Sequence, residues 1–216
     1  MRLLLLYRTD SACFKGDSRM QSMWIEPILA TLFGYLLGSI PFGLLLTQLT
    51  GGGDLRAQGS GNIGATNVLR TGNKAIAALT LLLDIGKGFV AVYAANQYSE
   101  GLGILAGMGA FLGHLYPVWL RFAGGKGVAT LLGIVLALSW QAGLIFAVIW
   151  LVSLAIWRYS SLGGMLASLS VPVSGVILEQ YPWVPMYIGF AVLVLWKHRS
   201  NIERLIAGEE PKVGSS

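Results

Sequence analysis

Apolar positions along this chain fall in long unbroken runs, and polar positions collect in the gaps between them. About 20 apolar helical residues cross the roughly 30 Å hydrocarbon core of a bilayer, so the pattern predicts a bundle of membrane-spanning helices. The first runs from Trp24 to Thr50, with a kink expected near Pro41. The second runs from Lys74 to about Ala95 and the third from about Gly101 to Trp119. Gly34 and Gly38, Gly103 and Gly107, and Gly109 and Gly113 recur at a spacing that lets neighbouring helices approach closely. The run from Gly127 to Trp157 would be about 46 Å long as one helix, too long for one span yet short for two. A hairpin turning near Ser139-Trp140-Gln141 and a single strongly tilted helix are the two solutions. Beyond it the pattern predicts a helix from about Leu162 to Leu178, broken at Pro172, and a last one from about Trp183 to Trp196.

Composition agrees with this class. The 216 residues are 55% hydrophobic and 12% charged, and the mean hydropathy is +0.66, more apolar surface than a soluble domain can hide. A net charge of +5 would suggest nucleic acid in a soluble chain, but here the basic residues sit between apolar runs, where topology and anionic ligands account for them better. The single cysteine, Cys13, excludes an intrachain disulfide framework and a cysteine-based metal cluster.

Charge placement chooses between the topologies. With seven helices, Arg56, Arg70, Lys74, Arg121, Lys126, Arg158, Lys197, Arg199, Arg204 and Lys212 all fall on one side, with Lys87 embedded. The opposite gaps, at Asn96 to Glu100, Ser139 to Gln141 and Glu179 to Pro182, contain no Lys or Arg. The positive-inside rule makes the basic side cytoplasmic. A six-helix arrangement would divide the polar loops between two faces. The expected fold is thus an all-α integral membrane protein with seven transmembrane helices. Its N-terminus is outside, its C-terminus is cytoplasmic, and its polar motif loops share the cytoplasmic face. In that orientation Arg2, Arg8, Lys15 and Arg19 lie on the wrong side. Residues 1–22 are therefore read as a disordered extension or a misassigned start, with Met20 and Met23 as alternative starts, residues 23–208 as one membrane domain, and 209–216 as a polar tail.

The candidate chemistry lies in the gaps. Gly59-Ser60-Gly61-Asn62-Ile63-Gly64-Ala65-Thr66-Asn67 combines three glycines with small polar side chains between Arg56 and Arg70. Such loops expose backbone amides and hydroxyl or amide donors suited to phosphate. Gly124-Gly125-Lys126-Gly127 opens a further apolar helix and lacks Walker A spacing, so anion binding is the reading and nucleotide binding is not. Asp84 and Lys87, three apart within the second helix, read as a structural ion pair. His114 and His198 have no clustered partners, so no metal site is expected. His198 and Glu203 invite comparison with acyltransferases that use a histidine and an acid at that spacing, but no further block of that kind matches.

Several blocks in order resemble the bacterial acyl-phosphate:glycerol-3-phosphate acyltransferases (PlsY): Gly38-Ser39-Ile40-Pro41-Phe42-Gly43, Gly59 to Asn67, Gly113-His114-Leu115-Tyr116-Pro117, Gly124 to Thr130, and His198-Arg199-x-Asn201. The resemblance implies a multi-pass enzyme of the bacterial inner membrane whose site faces the cytoplasm. It implies transfer of a fatty acyl group from acyl phosphate to the 1-hydroxyl of glycerol 3-phosphate, the first acylation of phospholipid biosynthesis, with no cofactor, no metal, no nucleic acid and no obligate protein partner. Carried over by motif, Ser60, Arg70, Lys126, Ser161, His198 and Asn201 are expected to hold glycerol 3-phosphate. Of these, His198, Asn201, Lys126 and Ser60 are expected to position the reacting groups and stabilise charge. Asn62, Thr66, Asn67, His114, Gly124, Gly125, Gly127 and Thr130 are expected around the acyl phosphate. A transporter for an organic phosphate would want similar basic, glycine-rich helix ends, but no internal repeat is visible and the polar motifs gather at one face.

Overall fold

The structure, a computed structural model, describes residues 13–214, and among the described residues all regular secondary structure is helical. Helix α1 spans Cys13–Gly38 and α2 spans Phe42–Leu49. The short α3, Ala65–Arg70, precedes the long α4, Lys74–Tyr98, and then α5, Leu102–Leu115. Two helices follow in close succession, α6 over Val128–Leu138 and α7 over Trp140–Trp157. The chain continues through α8, Ser160–Ile177, α9, Val184–Lys197, and a short amphipathic α10, Arg199–Ile206. Residues 1–12 of the expected extension lie outside the described residues. Over 13–22 the chain is helical rather than irregular, since extending an established helix costs little compared with nucleating one.

Among the described residues, five helical stretches are long and apolar enough to cross a membrane: Trp24–Leu49, Lys74–Tyr98, Leu102–Leu120, Trp140–Trp157 and Ser160–Ile177. Helices α6, with 11 residues, and α9, with 14, are shorter. At 1.5 Å per residue α6 reaches about 16 Å, half the hydrocarbon thickness. It compensates by being central: Leu131, Ile134 and Val135 are fully buried in the main apolar core with Phe111, Phe146 and Val194. The ambiguous run is thus two helices, interrupted at Ser139. Its hydroxyl faces the Ala142 amide at the start of α7 and accepts a 2.7 Å bond from Gln180 Nε2.

The kink expected at Pro41 is a break. Residues Ser39 to Pro41 separate α1 from α2 and free carbonyls inside an apolar protein, where unpaired backbone groups are costly. Lys87 Nζ donates to the Ile40 carbonyl at 2.9 Å and Trp119 Nε1 to that of Ser39 at 2.8 Å. Pro172 behaves differently from expectation: α8 runs through it. One missing amide donor is tolerated because α8 is held on both flanks, Gly163 packing on Trp150 and Gly175 on Tyr187.

Backbone contact sets the helix pairing. A Cβ on Gly34 or Gly38 would lie 1.9 or 2.0 Å from the carbonyl oxygens of Ala106 and Ala110, and one on Gly109 or Gly113 would lie 2.2 Å from those of Thr31 and Tyr35. Helices α1 and α5 therefore touch main chain to main chain from both sides, as the glycine spacing predicts. Gly88 and Gly133 do the same for α4 and α6. Gly103 and Gly107 instead face side chains, of Asn96 and of Val92 and Ile134. Gly38→Ala is expected to destabilise the protein by about 1–3 kcal/mol in thermal unfolding in detergent, because backbone must move. Gly86→Ala, with nothing within 4 Å of the new methyl, is expected to change stability by less than about 1 kcal/mol.

Candidate functional site

The loop from Gly51 to Gly64 is organised from beneath by apolar residues and from within by one amide. Leu55, Ile63 and Val68 bury themselves with Leu44 and Ala77 in a small satellite core. Asn67 is 2% exposed. Its Nδ2 donates to the carbonyls of Leu55, Gln58 and Asn62 at 3.1, 2.9 and 2.8 Å, and its Oδ1 accepts from the Ser60 amide at 2.9 Å. Gly59 and Gly61 adopt φ of +54° and +69°, left-handed values open to glycine at little cost. The loop is thereby held with Ser60, Asn62 and Thr66 on the wall of a cavity.

Three other polar segments and the flanking helices complete that cavity. The start of α6 contributes Lys126, Gly127, Val128 and Ala129, the α7–α8 corner contributes Ser160 and Ser161, and the C-terminal part contributes His198, Asn201 and Glu210. From the helices come Asp84, His114 and an apolar end formed by Leu81, Leu132, Phe146 and Trp150. Gly127, at φ +86°, turns the chain into α6, so the first free amides and the positive end of that helix face the cavity.

A hydrogen-bonded chain ties the polar end together. Lys126 Nζ donates to Asn201 Oδ1, and Asn201 Nδ2 donates to Glu210 Oε1 at 2.7 Å. Glu210 Oε1 also accepts from Ser161 Oγ at 2.7 Å, and its Oε2 accepts from Arg204 Nε at 2.8 Å. Across the cavity Thr66 Oγ1 and Ser160 Oγ are 2.9 Å apart. Burial pushes Lys126 down to about 8, Glu210 partly opposing the shift and Arg204, Arg70 and Lys197 adding to it. Burial and then the Lys126 charge push His198 down to about 4, so its ring is neutral near pH 7. Burial acts to raise the Glu210 carboxyl, but its bonds from Ser161, Asn201 and Arg204 outweigh that and hold it below the usual range. His198 Nδ1 lies 2.8 Å from the Val194 carbonyl. A neutral ring can only donate there, which leaves Nε2 as an acceptor.

The sequence and architecture have close counterparts. The family model described as "Glycerol-3-phosphate acyltransferase" matches residues 28–208. A protein of that name from Mesorhizobium japonicum is 56% identical over 188 residues, 87% of this chain and 96% of the relative. One from Erythrobacter litoralis is 52% identical over 191 residues, 88% of this chain and 97% of the relative. The chain belongs to the glycerol-3-phosphate acyltransferase family. Among solved structures, the integral membrane glycerol 3-phosphate acyltransferase PlsY (YgiH) in its glycerol 3-phosphate form superposes with a TM-score of 0.83 at 38% identity, covering 87% of this chain and 96% of that one. Its lysophosphatidic acid form gives 0.80 at 36% identity, covering 86% and 94%.

Against this family background, the cavity wall brings together Ser60, Asn62, Thr66, Asn67, Arg70, His114, Lys126, Gly127, Ser161, His198 and Asn201. Gly124, Gly125 and Thr130 are not on it. Gly124 and Gly125 are close-packing positions: a Cβ on either would lie 2.2 Å from His114, from its carbonyl oxygen and its Nε2 respectively. Thr130 is fully buried on α6, against Gly88. Asn67 reaches the wall, but its amide is spent on its own loop. Asp84 and Lys87 form the expected ion pair at 2.8 Å, and Asp84 also borders the cavity, its Oδ1 3.8 Å from His114 Nδ1.

The sequence reading missed Glu210. It is 6% exposed, although it lies in the segment read as a polar tail, and Glu203, the acid near His198 in sequence, is exposed instead. The signal available was a carboxylate on a face otherwise rich in cations. Asn67→Ala strips one amide and three carbonyls of their partners, and buried groups left unpaired cost about 1–3 kcal/mol each. Limited proteolysis should show faster cleavage between residues 50 and 64. Asn67→Asp, which cannot donate to the three carbonyls, should behave alike.

Proposed function

We propose that this protein transfers a fatty acyl group from acyl phosphate to the 1-hydroxyl of sn-glycerol 3-phosphate, giving lysophosphatidic acid and inorganic phosphate. The observation that carries the reading is one cavity with two chemically distinct ends. Arg70, Lys126, Ser161 and Asn201 can hold phosphate at one, with His198 beside them for a hydroxyl, and Leu132, Phe146 and Trp150 can receive the head of an acyl chain at the other. The named relatives and the two ligand forms of PlsY support the same substrate and product.

In this reaction the hydroxyl oxygen attacks the acyl carbonyl carbon, the new C–O ester bond forms, and the bond from that carbon to the phosphate oxygen breaks. The donor is already activated, so the residues need to align the two substrates and stabilise the developing oxyanion. Lys126 and the α6 amides carry that charge. The proton of the hydroxyl goes to a phosphate oxygen. A neutral His198 with a pKa of about 4 is a weak base, and it serves better as a hydrogen-bond partner that positions glycerol 3-phosphate.

The topology we infer is seven-pass in the bacterial inner membrane, with the site at the cytoplasmic face. Three helix pairs, α4–α5, α6–α7 and α8–α9, each return the chain to the face of the cavity. That favours counting the short α6 and α9 as crossings, with α1–α2 bringing the total to seven. The convergence of motifs at one face also weighs against a transporter.

Purified protein incubated with labelled glycerol 3-phosphate is expected to form lysophosphatidic acid with acyl phosphate and not with acyl-CoA or acylated carrier protein. Uptake of glycerol 3-phosphate into protein-loaded liposomes without product would overturn the enzyme reading.

The Lys126 charge predicts a pH profile. Below about 8 the free enzyme carries the cation, and above it the cation is lost. kcat/KM for glycerol 3-phosphate should be level from about pH 7, where the substrate is already the dianion, up to about pH 8, and fall about tenfold per unit above it. Lys126→Arg, charged to above about 12, should abolish the alkaline limb whatever its absolute activity.

A further inference from the structure

Outside the cavity lies a second, wider groove that the acyl-transfer chemistry does not use. It shares Ser60, Thr66 and Arg70 with the inner cavity, and its remaining wall runs from Lys74 across to Arg204 and the segment Glu209 to Gly214. That segment is fixed in place. The Val213 amide donates to the Arg158 carbonyl at 2.7 Å, and Arg158 Nη2 donates to the Val213 carbonyl at 2.8 Å. Among the described residues the groove is lined by Arg70, Lys74 and Arg204, with Lys212 at its edge, and by the carboxylate of Glu209. Arg204 is matched by Glu210 from the inner side. Among the described residues, no acidic group pairs with the exposed side chains of Arg70 or Lys74. A concave surface lined by one sign of charge concentrates the opposite ion.

We infer that this outer groove is a second anion subsite that captures a phosphate monoester dianion and delivers it to the inner cavity across Arg70, whose side chain borders both. The kinetic part of the inference rests on the proposed acyl transfer. The binding part does not. Delivery is a long-range electrostatic effect and not a contact with the reacting atoms, so it should raise the capture of soluble substrate without altering the chemical step, and salt should screen it.

The test uses Lys74→Glu in the full chain in a neutral detergent. Lys74 opens α4 and is exposed, and an acidic residue is favourable in the first turn of a helix, so folding is not at risk. At about 10 mM ionic strength the variant should raise KM for glycerol 3-phosphate about three- to fivefold with kcat unchanged. The difference should vanish at about 200 mM salt, and Lys74→Arg should match the parent. A KM within 1.5-fold of the parent at low salt, or a fall in kcat alone, overturns the inference. Calorimetric titration with inorganic phosphate decides the subsite even if no acyl transfer is found: Lys74→Glu should weaken binding by a similar factor. Repeating that titration in nanodiscs of neutral phosphatidylcholine and in discs containing phosphatidylglycerol separates the sources. Equal phosphate affinity in both supports a soluble ligand. Loss of phosphate binding only in the anionic discs would make a lipid headgroup the occupant and overturn delivery from solvent.

Discussion

The arrangement depends on a single carboxylate buried among cations. Lys126, Arg204, Ser161 and Asn201 come from three separate stretches of chain, and each is joined to Glu210 either directly or through Asn201. A site built for phosphate needs cations close together, yet before the ligand arrives those cations repel one another and lose hydration. Glu210 offsets both effects, and the depressed pKa of Lys126 shows that the compensation is incomplete. In the proposed reaction that residual deficit of negative charge would be met by the phosphate of the substrate.

That electrostatic cluster can assemble only because the helices fix where its segments emerge. The α1–α5 and α4–α6 contacts are made main chain to main chain through glycine. In lipid, where apolar side chains gain nothing by leaving solvent, close packing of this kind is a principal source of association. The pairing brings His114 at the end of α5 beside Asp84 of α4 and the start of α6. Lys87 links the cluster to the helix break by closing both the Asp84 ion pair and the Ile40 carbonyl. Loss of that lysine would leave a buried carboxylate and a half-buried carbonyl unpaired at once.

Much of this was legible in the sequence for specific physical reasons. Hydropathy runs locate the helices because a bilayer admits little else; the length of the run over Ser139 left a hairpin and one tilted helix open, and charge placement chose the hairpin. The α1–α5 crossing was readable from Gly34, Gly38, Gly109 and Gly113 because a backbone contact requires small residues at fixed spacing. Gly124 and Gly125 have the composition of an anion loop, but here their missing side chains make room for His114. Pro172 carries the signal of a break without producing one, since flanking helices decide whether the helix survives. Glu210 was invisible because its role needs the chain to fold back past α10 onto Asn201 and Arg204 and to meet Ser161 from a far part of the sequence, whereas a Gly-Glu-Glu-Pro segment reads locally as solvated tail.

The low pKa of His198 bears on how the site divides its labour. A histidine kept neutral by burial and by Lys126 cannot add another positive charge to the cluster, and with Nδ1 turned to Val194 its Nε2 presents an acceptor to the cavity. An acceptor in an otherwise donor-rich pocket suits a hydroxyl better than a phosphate, since phosphate oxygens offer no proton in their dianionic form. In the proposed reaction His198 would then hold the glycerol end of the acceptor while Lys126, Ser161 and Arg70 would surround its phosphate. Orientation of the 1-hydroxyl toward the acyl carbon would then follow from placing the cationic donors around the phosphate and the His198 acceptor at the glycerol end.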